Sequence, residues 1–259
     1  MSTKPIGIFD SGVGGTSIWK EIHNLLPNEH TIYLSDSMNA PYGPKGQEAI
    51  INLSIKNTEY LINKGCKLIV VACNTATTNA IDFLRETYQV PFIGIEPAIK
   101  PAALNTKTNA IGILATKGTL TSALFSKTSG LFANDVKTIE QQGEGIVELI
   151  ENGKLFSDEM KTLLNIYLKP MIDANIDYLV LGCTHYPYLM PLLINILPNQ
   201  VKIIDSGEAV ARQTKAVLEK NSLLNTCYSK AKNEFYTNGN PEVLKSLLQS
   251  KLKVEFLDF

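Results

Sequence analysis

The feature that most constrains this chain is a series of short, β-branched apolar runs, each stopping at a polar or glycine-bearing cluster. Residues 6–9 stop at Asp10-Ser11-Gly12, 31–34 at Ser35-Asp36-Ser37, 68–72 at Cys73-Asn74-Thr75 and 91–95 at Glu96-Pro97. Further along, 110–114 stop at Ala115-Thr116, 178–181 at Gly182-Cys183-Thr184-His185 and 201–204 at Asp205-Ser206-Gly207. The runs are too short to be core helices and do not alternate with polar residues. Strands covered on both faces have that signature. Helix-like stretches lie at 47–63, 75–88, 145–151, 157–174, 209–218 and 241–248. Strands alternating with helices predict an α/β fold built on doubly wound parallel sheet.

The sequence also echoes itself. Ile69-Val70-Val71-Ala72-Cys73-Asn74-Thr75 is similar to Leu179-Val180-Leu181-Gly182-Cys183-Thr184-His185, and Ile8-Phe9-Asp10-Ser11-Gly12 to Ile203-Ile204-Asp205-Ser206-Gly207. We read this as two similar α/β halves, each with an active strand end.

Charge and cysteine content narrow the function. Lys plus Arg number 24 and Asp plus Glu 25, a formal net charge of −1, so there is no excess cation to hold a phosphate backbone and no nucleic-acid partner is expected. No apolar stretch approaches the ~20 residues of a membrane span, so no membrane partner is expected either. The start, Met1-Ser2-Thr3-Lys4-Pro5 with Asp10 soon after, carries no signal-peptide pattern. Four cysteines in 259 residues do not make a disulfide framework. The expectation is a soluble, reduced, cytoplasmic enzyme or small-molecule binder.

In open parallel sheets, ligands bind beyond the carboxyl ends of the strands, where all these clusters fall. Unpaired N–H groups at the following helix starts favour an anion there. Ser11, Asn74, Thr75 and Thr184 add side-chain donors, although each could simply cap a helix. The segment Asp10-Ser11-Gly12-Val13-Gly14-Gly15-Thr16 lacks the G-x-G-x-x-G spacing and any following Gly-Lys-Ser/Thr, so it reads as a tight strand-to-helix turn and not a nucleotide site.

Cys73 and Cys183 each follow a buried strand at an expected helix N-terminus, a position that lowers a thiol pKa. Cys66 and Cys227 are read as buried small hydrophobes. Cys183-Thr184-His185 supplies only two metal ligands, so no metal is expected. A lone Cys–His hydrolase would leave the second cysteine unexplained. No Schiff-base environment is legible around Lys100 or Lys117, which leaves a pyridoxal cofactor without support. Two thiols on opposite walls of a crevice suit inversion of a carbon stereocentre, in which one takes a proton from one face and the other returns one to the opposite face. Asp10, Glu151 and His185 are candidate proton-handling neighbours. A non-catalytic small-acid binding protein would use the same crevice without needing paired thiols.

These residues resemble the bacterial glutamate racemase family along nearly the whole chain. The carrying segments are Gly7 to Gly15 (GIFDSGVGG), Ala40-Pro41-Tyr42-Gly43, Ala72-Cys73-Asn74-Thr75-Ala76, Gly94-Ile95-Glu96-Pro97, Leu149-Ile150-Glu151-Asn152-Gly153 and Leu181-Gly182-Cys183-Thr184-His185-Tyr186-Pro187. The resemblance implies a cofactor-independent racemase supplying D-glutamate for peptidoglycan. Cys73 would act on the D-isomer and Cys183 on the L-isomer, with Asp10 assisting the first, His185 the second and Glu151 a further acid near His185. Substrate contacts would fall on Asp10, Ser11, Tyr42, Gly43, Asn74, Thr75, Thr184 and His185; contacts within 108–121 stay open. It also implies two lobes, residues 1–98 completed by 209–259 and residues 99–208, with the site between them, and a homodimer. Some members carry an N-terminal extension linked to activation by a cell-wall precursor. This chain reaches its first strand almost at once, so that activation is not expected here. The nearest alternative is an aspartate racemase or another cofactor-independent amino-acid racemase. Their second motif usually reads Cys-Thr-Glu, whereas Cys183-Thr184-His185 favours glutamate.

Overall fold

A computed structural model of the chain describes residues 2–133, 135–227, 231–248 and 252–259. The strands are β1 (Ile6–Asp10), β2 (Thr31–Ser35), β3 (Leu68–Val71), β4 (Phe92–Gly94), β5 (Ala110–Ala115), β6 (Lys137–Gln142), β7 (Tyr178–Gly182), β8 (Lys202–Ile204), β9 (Asn233–Thr237) and β10 (Val254–Phe256). The helices are α1 (Thr16–Leu25), α2 (Gln47–Asn63), α3 (Asn74–Thr87), α4 (Ile99–Asn105), α5 (Lys117–Leu120), α6 (Ala123–Phe132), α7 (Ile146–Glu151), α8 (Asp158–Asp173), α9 (Met190–Ile196), α10 (Gly207–Lys220) and α11 (Pro241–Leu248). Short 3-10 turns follow β2, at Ser37–Asn39, and β7, at Tyr186–Leu189. Among the described residues no helix is long and apolar enough to cross a membrane.

The strands form two sheets, ordered β10-β9-β2-β1-β3-β4 and β6-β5-β7-β8, and every paired neighbour is parallel. Burial explains why the runs do not alternate. Ile6, Ile8, Leu68 and Val70 face a large apolar core, while Phe9, Ile69 and Val71 face a second one against α2 and α3. The other sheet divides likewise, with Leu114, Leu179 and Leu181 joining the large core and Ile111, Ile113 and Val180 a third. The large core thus runs through both sheets. Each fully buried Val, Leu or Ile contributes about 1.5–3 kcal/mol to this packing.

The two sheets repeat one winding, β2-β1-β3-β4 in the first and β6-β5-β7-β8 in the second. β3 therefore corresponds to β7, which agrees with the longer of the two sequence echoes. The shorter echo is not structural: β1 corresponds to β5, whereas residues 203–207 end β8, the counterpart of β4. Short hydrophobic strand ends followed by Asp-Ser-Gly look alike because the turn chemistry is alike, not because the positions are equivalent.

The first sheet borrows β9 and β10 from the end of the chain. A buried ion pair holds that return. Lys67 Nζ lies 2.6 Å from Glu29 Oε2 and also donates to the carbonyls of Ser2 and Leu223, while Glu29 Oε1 accepts the Asn225 N–H at 2.7 Å. Removing one member of such a pair costs about 3–5 kcal/mol, because the other charge stays buried.

All six expected helices and all seven expected strands are present, with ends shifted by a few residues. Sequence reasoning did not identify α1, α4, α5, α6, α9, β6, β9 or β10. β6 (KTIEQQ) is an edge strand with no fully buried residue, and β9 (NEFYT) is mostly half-buried. Neither carries the apolar run that signals a two-sided strand, and each is fixed by its partner. Cys66 is buried as expected, but Cys227 is exposed. Its polar surroundings do not pack into a core.

Candidate active site

In each sheet the winding changes direction beside its first strand, and the crevice outside the carboxyl ends of the flanking strands is where such folds bind ligands. In the first sheet that point lies between β1 and β3, which deliver Asp10-Ser11 and Cys73-Asn74-Thr75. In the second it lies between β5 and β7, which deliver Thr116 and Cys183-Thr184-His185. The two crevices face each other. One small pocket is lined by Ser11, Tyr42, Cys73, Thr75, Thr116, Cys183 and His185, with Pro41, Gly43, Asn74, Val147 and Thr184 completing it.

Cys73 is the N-cap of α3, and its Sγ accepts the Ala76 N–H at 3.3 Å. Its thiol lies 3.6 Å from Ser11 Oγ, which in turn donates to Asp10 Oδ1 at 3.3 Å. The Asp10 carboxylate is wholly buried. It accepts the N–H groups of Ser11 at 2.7 Å and Gly15 at 2.5 Å, and the Thr184 hydroxyl from the second sheet at 3.2 Å. Burial raises the Asp10 pKa despite the opposing pull of His185 and the Gly15 N–H.

Burial, then the Asp10 charge, also pushes the Cys73 thiol well above its ordinary value. This corrects the expectation of a lowered pKa. The helix terminus does donate an N–H to the sulfur, but desolvation outweighs it. Charge on Cys183 adds to the rise, which places the two sulfurs within electrostatic reach of each other.

Cys183 is built differently. It follows β7 but starts no α-helix; the next element is the 3-10 turn Tyr186–Leu189. Its Sγ lies 3.7 Å from His185 Nδ1, and His185 Nε2 lies 2.6 Å from Glu151 Oε1. Glu151 ends α7, whose start is set by Gly145 at φ +79°, a left-handed conformation that suits glycine. The same Oε1 accepts the Val13 N–H at 2.7 Å, and Oε2 accepts the Ser37 hydroxyl at 2.7 Å. Burial works to lower the His185 pKa, but hydrogen bonds to Cys183 and Glu151 outweigh it and hold the imidazolium well above the ordinary histidine range.

The glycines of residues 12–15 now have a reason. A Cβ at Gly12 would stand 1.9 Å from Glu151 Oε1, and one at Gly14 2.3 Å from His185 Nδ1. A Cβ at Gly15 would stand 2.7 Å from Asp10 Cβ. Gly12 and Gly14 lack side chains so that the second half's acid and imidazole can reach the first half. The turn is tight, as expected, but close approach across the halves is what requires glycine.

The remaining sequence candidates divide. Asn74 is buried, and both its side-chain Oδ1 and Nδ2 lack a protein partner. An unpaired buried amide costs about 1–3 kcal/mol, and this one lines the pocket. Thr75 Oγ1 lies 2.8 Å from Thr116 Oγ1, bridging the two halves at the pocket wall. Tyr42 and Gly43 line the pocket, but the Tyr42 hydroxyl is taken by Asp36 at 2.5 Å and Asn57 at 3.2 Å. Sequence reasoning missed Thr116. Its counterpart after β1 is Ser11, and the order of strands, had it been known, would have marked it.

The chain is similar to known proteins over most of its length. The Asp/Glu/Hydantoin racemase family model matches residues 6–214. The chain is 44% identical over 241 residues to the glutamate racemase of Herpetosiphon aurantiacus, covering 93% of this chain and 95% of that one. It is also similar to the Escherichia coli glutamate racemase structure in complex with L-glutamate and the activator UDP-MurNAc-ala, with TM-score 0.87, 35% identity and 98% of each chain covered. The Francisella tularensis glutamate racemase structure in complex with D-glutamate gives TM-score 0.85 at 30% identity, covering 100% of this chain and 98% of that one.

Proposed function

The chain belongs to the Asp/Glu/Hydantoin racemase family, and from that premise we propose that it interconverts L- and D-glutamate with Cys73 and Cys183 as the two proton-transferring groups. The observation that carries this reading is the pairing of two thiols in one pocket, each with its own proton partner on a different half of the molecule.

In the L-to-D direction, the Cys183 thiolate removes the α-proton from one face and forms an S–H bond. The electron pair is left at the α-carbon, conjugated with the carboxylate. The Cys73 thiol then gives its proton to the opposite face and becomes a thiolate. The reverse direction exchanges the roles. Cys73 is held as a thiol by burial and the Asp10 charge, which leaves it ready to donate. The pair titrates as a coupled unit. Asp10 acts on Cys73 through the Ser11 hydroxyl, and Glu151 orients His185 toward Cys183. Unpaired N–H groups at the start of α3, with Asn74, Thr75 and Thr184, hold the substrate's carboxylates. The cavity between the thiols is only about 10 Å³, room for about one water. Glutamate therefore enters by parting of the two halves.

We take residues 1–98 with 209–259 as one moving lobe and residues 99–208 as the other. The same reading makes the protein a cytoplasmic homodimer supplying D-glutamate for peptidoglycan, without a cofactor. His185, where aspartate racemases usually carry a carboxylate, favours glutamate over aspartate.

The test is racemisation of L-glutamate in D₂O by thiol-reduced protein with no added metal or pyridoxal phosphate. Loss of optical rotation together with deuterium at the α-carbon is the expected result. Turnover of aspartate in preference to glutamate would move the assignment to the alternative substrate, and glutamate binding without either signal would leave only a binding protein.

A further inference from the structure

The two proton arms differ in where they end. The Asp10 carboxylate is wholly buried and accepts the N–H groups of Ser11 and Gly15 and the hydroxyls of Ser11 and Thr184. The Cys183 arm ends at Glu151, whose side chain is 12% exposed. Glu151 lines a second cavity of about 280 Å³, formed by Ser37, Pro41, Asn152, Asn240 and neighbouring residues of α7 and α11. Asn152 and Asn240, which line it, are exposed, so the cavity meets solvent, and Pro41 lines both it and the substrate pocket.

Ser37 stands at the junction. Its hydroxyl donates to Glu151 Oε2 at 2.7 Å and lies 2.9 Å from Ser35 Oγ at the end of β2. Gly239 makes room for it, since a Cβ there would stand 2.5 Å from Ser37 Cβ. With Val13 N–H and His185 on Oε1, and Ser37 on Oε2, the carboxylate is held with one edge on the imidazole and the other toward the cavity.

We propose that this second cavity is the proton outlet of the Cys183 arm and that Ser37 is the positioning residue that keeps Glu151 aligned for it. The proposal rests on the racemase reading. A net L-to-D turnover leaves a proton on Cys183 and none on Cys73, so the enzyme must reset before the next. The Cys183 thiol and the His185 imidazolium then hold one proton more than at the start; the imidazolium gives its Nε2 proton to Glu151 Oε1, and the carboxyl group releases a proton to water in the cavity, which returns the Cys183–His185 pair to its starting proton count. Cys73 regains its proton from solvent through the substrate pocket once product has left. The two resetting transfers thereby use different routes.

Tracer perturbation reads this reset. Labelled glutamate at L/D equilibrium is mixed with a large excess of unlabelled L-isomer, and slow reset drives label against the net reaction. Wild type is expected to show little counter-flow. Ser37→Ala should show clear counter-flow, with kcat down about 3- to 10-fold, the effect of losing one hydrogen bond, while kcat/KM changes by less than about twofold. Gly239→Ala should behave likewise by displacing Ser37, and Ser37→Thr, which keeps the hydroxyl, should recover fast reset. Circular dichroism and a melting curve establish that each variant is folded. Absence of counter-flow in both folded alanine variants, or equal counter-flow in wild type, overturns the outlet. A wild type that does not racemise glutamate overturns the racemase reading instead, so the two failures are distinct.

Discussion

Cys73 and Cys183 occupy corresponding positions, after β3 and β7 of two sheets wound alike, yet their surroundings are not copies. Cys73 caps an α-helix, and its relay runs through a hydroxyl to a buried carboxylate. Cys183 precedes a 3-10 turn, and its relay runs through an imidazole to a part-exposed carboxylate that lines a second cavity. The first arm lies within the first lobe and receives the Thr184 hydroxyl from the second. In the second arm, Glu151 accepts the Val13 N–H of the first lobe. The comparison teaches that a two-faced reaction needs matched positions for the reacting sulfurs, but not matched chemistry behind them. What each arm needs is a partner that can hold a proton in a buried site, and a carboxylate or an imidazole meets that need by different means.

The strongest way to break the comparison is to remove one sulfur. Cys73→Ser and Cys183→Ser should each lower racemisation by more than about 10³-fold, within the range for loss of a proton-transferring group, while glutamate binding by calorimetry persists. Near-wild-type turnover in either variant would mean that one base serves both faces.

Removing the partners should do less. Asp10→Asn and His185→Asn are expected to lower kcat about 10²-fold with little change in affinity; a change confined to KM would make them binding groups only. The two should part company in pH. The folded His185 value lies above the ordinary 6.5, so the stability its proton confers is complete below that value and is lost as pH rises through the folded one. The difference in melting temperature between wild type and His185→Asn should therefore be largest from acid to neutral pH and shrink on the alkaline side. A constant difference would show that the imidazole is not held as a cation.

The smallest effect sharpens the reading of the glycine loop. Gly14→Ala places a Cβ against the His185 ring and backbone, and should cost about tenfold in kcat and about 1–3 kcal/mol in stability, the cost of an overpacked contact. Gly46→Ala, where no atom lies within 4 Å, is the control and should leave both unchanged. Equal behaviour of the two variants would mean that the loop's glycines serve the turn and not the approach of the second half.

Much of this was legible beforehand, for definable reasons. The two-sided strands announce themselves because every residue of a strand such as Leu68–Val71 is buried, and burial on both faces leaves no polar position. The site residues are legible because strand ends in parallel sheet converge, so polar clusters after several strands share one place. β6, β9 and β10 were not legible, since half-buried strands are stabilised by their neighbours and carry no apolar run of their own. Thr116 follows an ordinary strand, and nothing in the local sequence separates it from a helix cap.

The sequence by itself determined the fold class, the two cysteines and the polar partners near them, because periodicity and turn chemistry are local properties. Only the tertiary structure decided which strand ends correspond, that the Cys73 thiol is raised and not lowered, that Tyr42 spends its hydroxyl on Asp36, and that one relay opens to solvent while the other is enclosed. Those outcomes depend on desolvation and on which groups the closed chain brings together, some of them more than a hundred positions apart, as between Ser37 and Glu151 or Thr184 and Asp10. Such pairs carry no local pattern, because the energy that joins them exists only once the chain has closed.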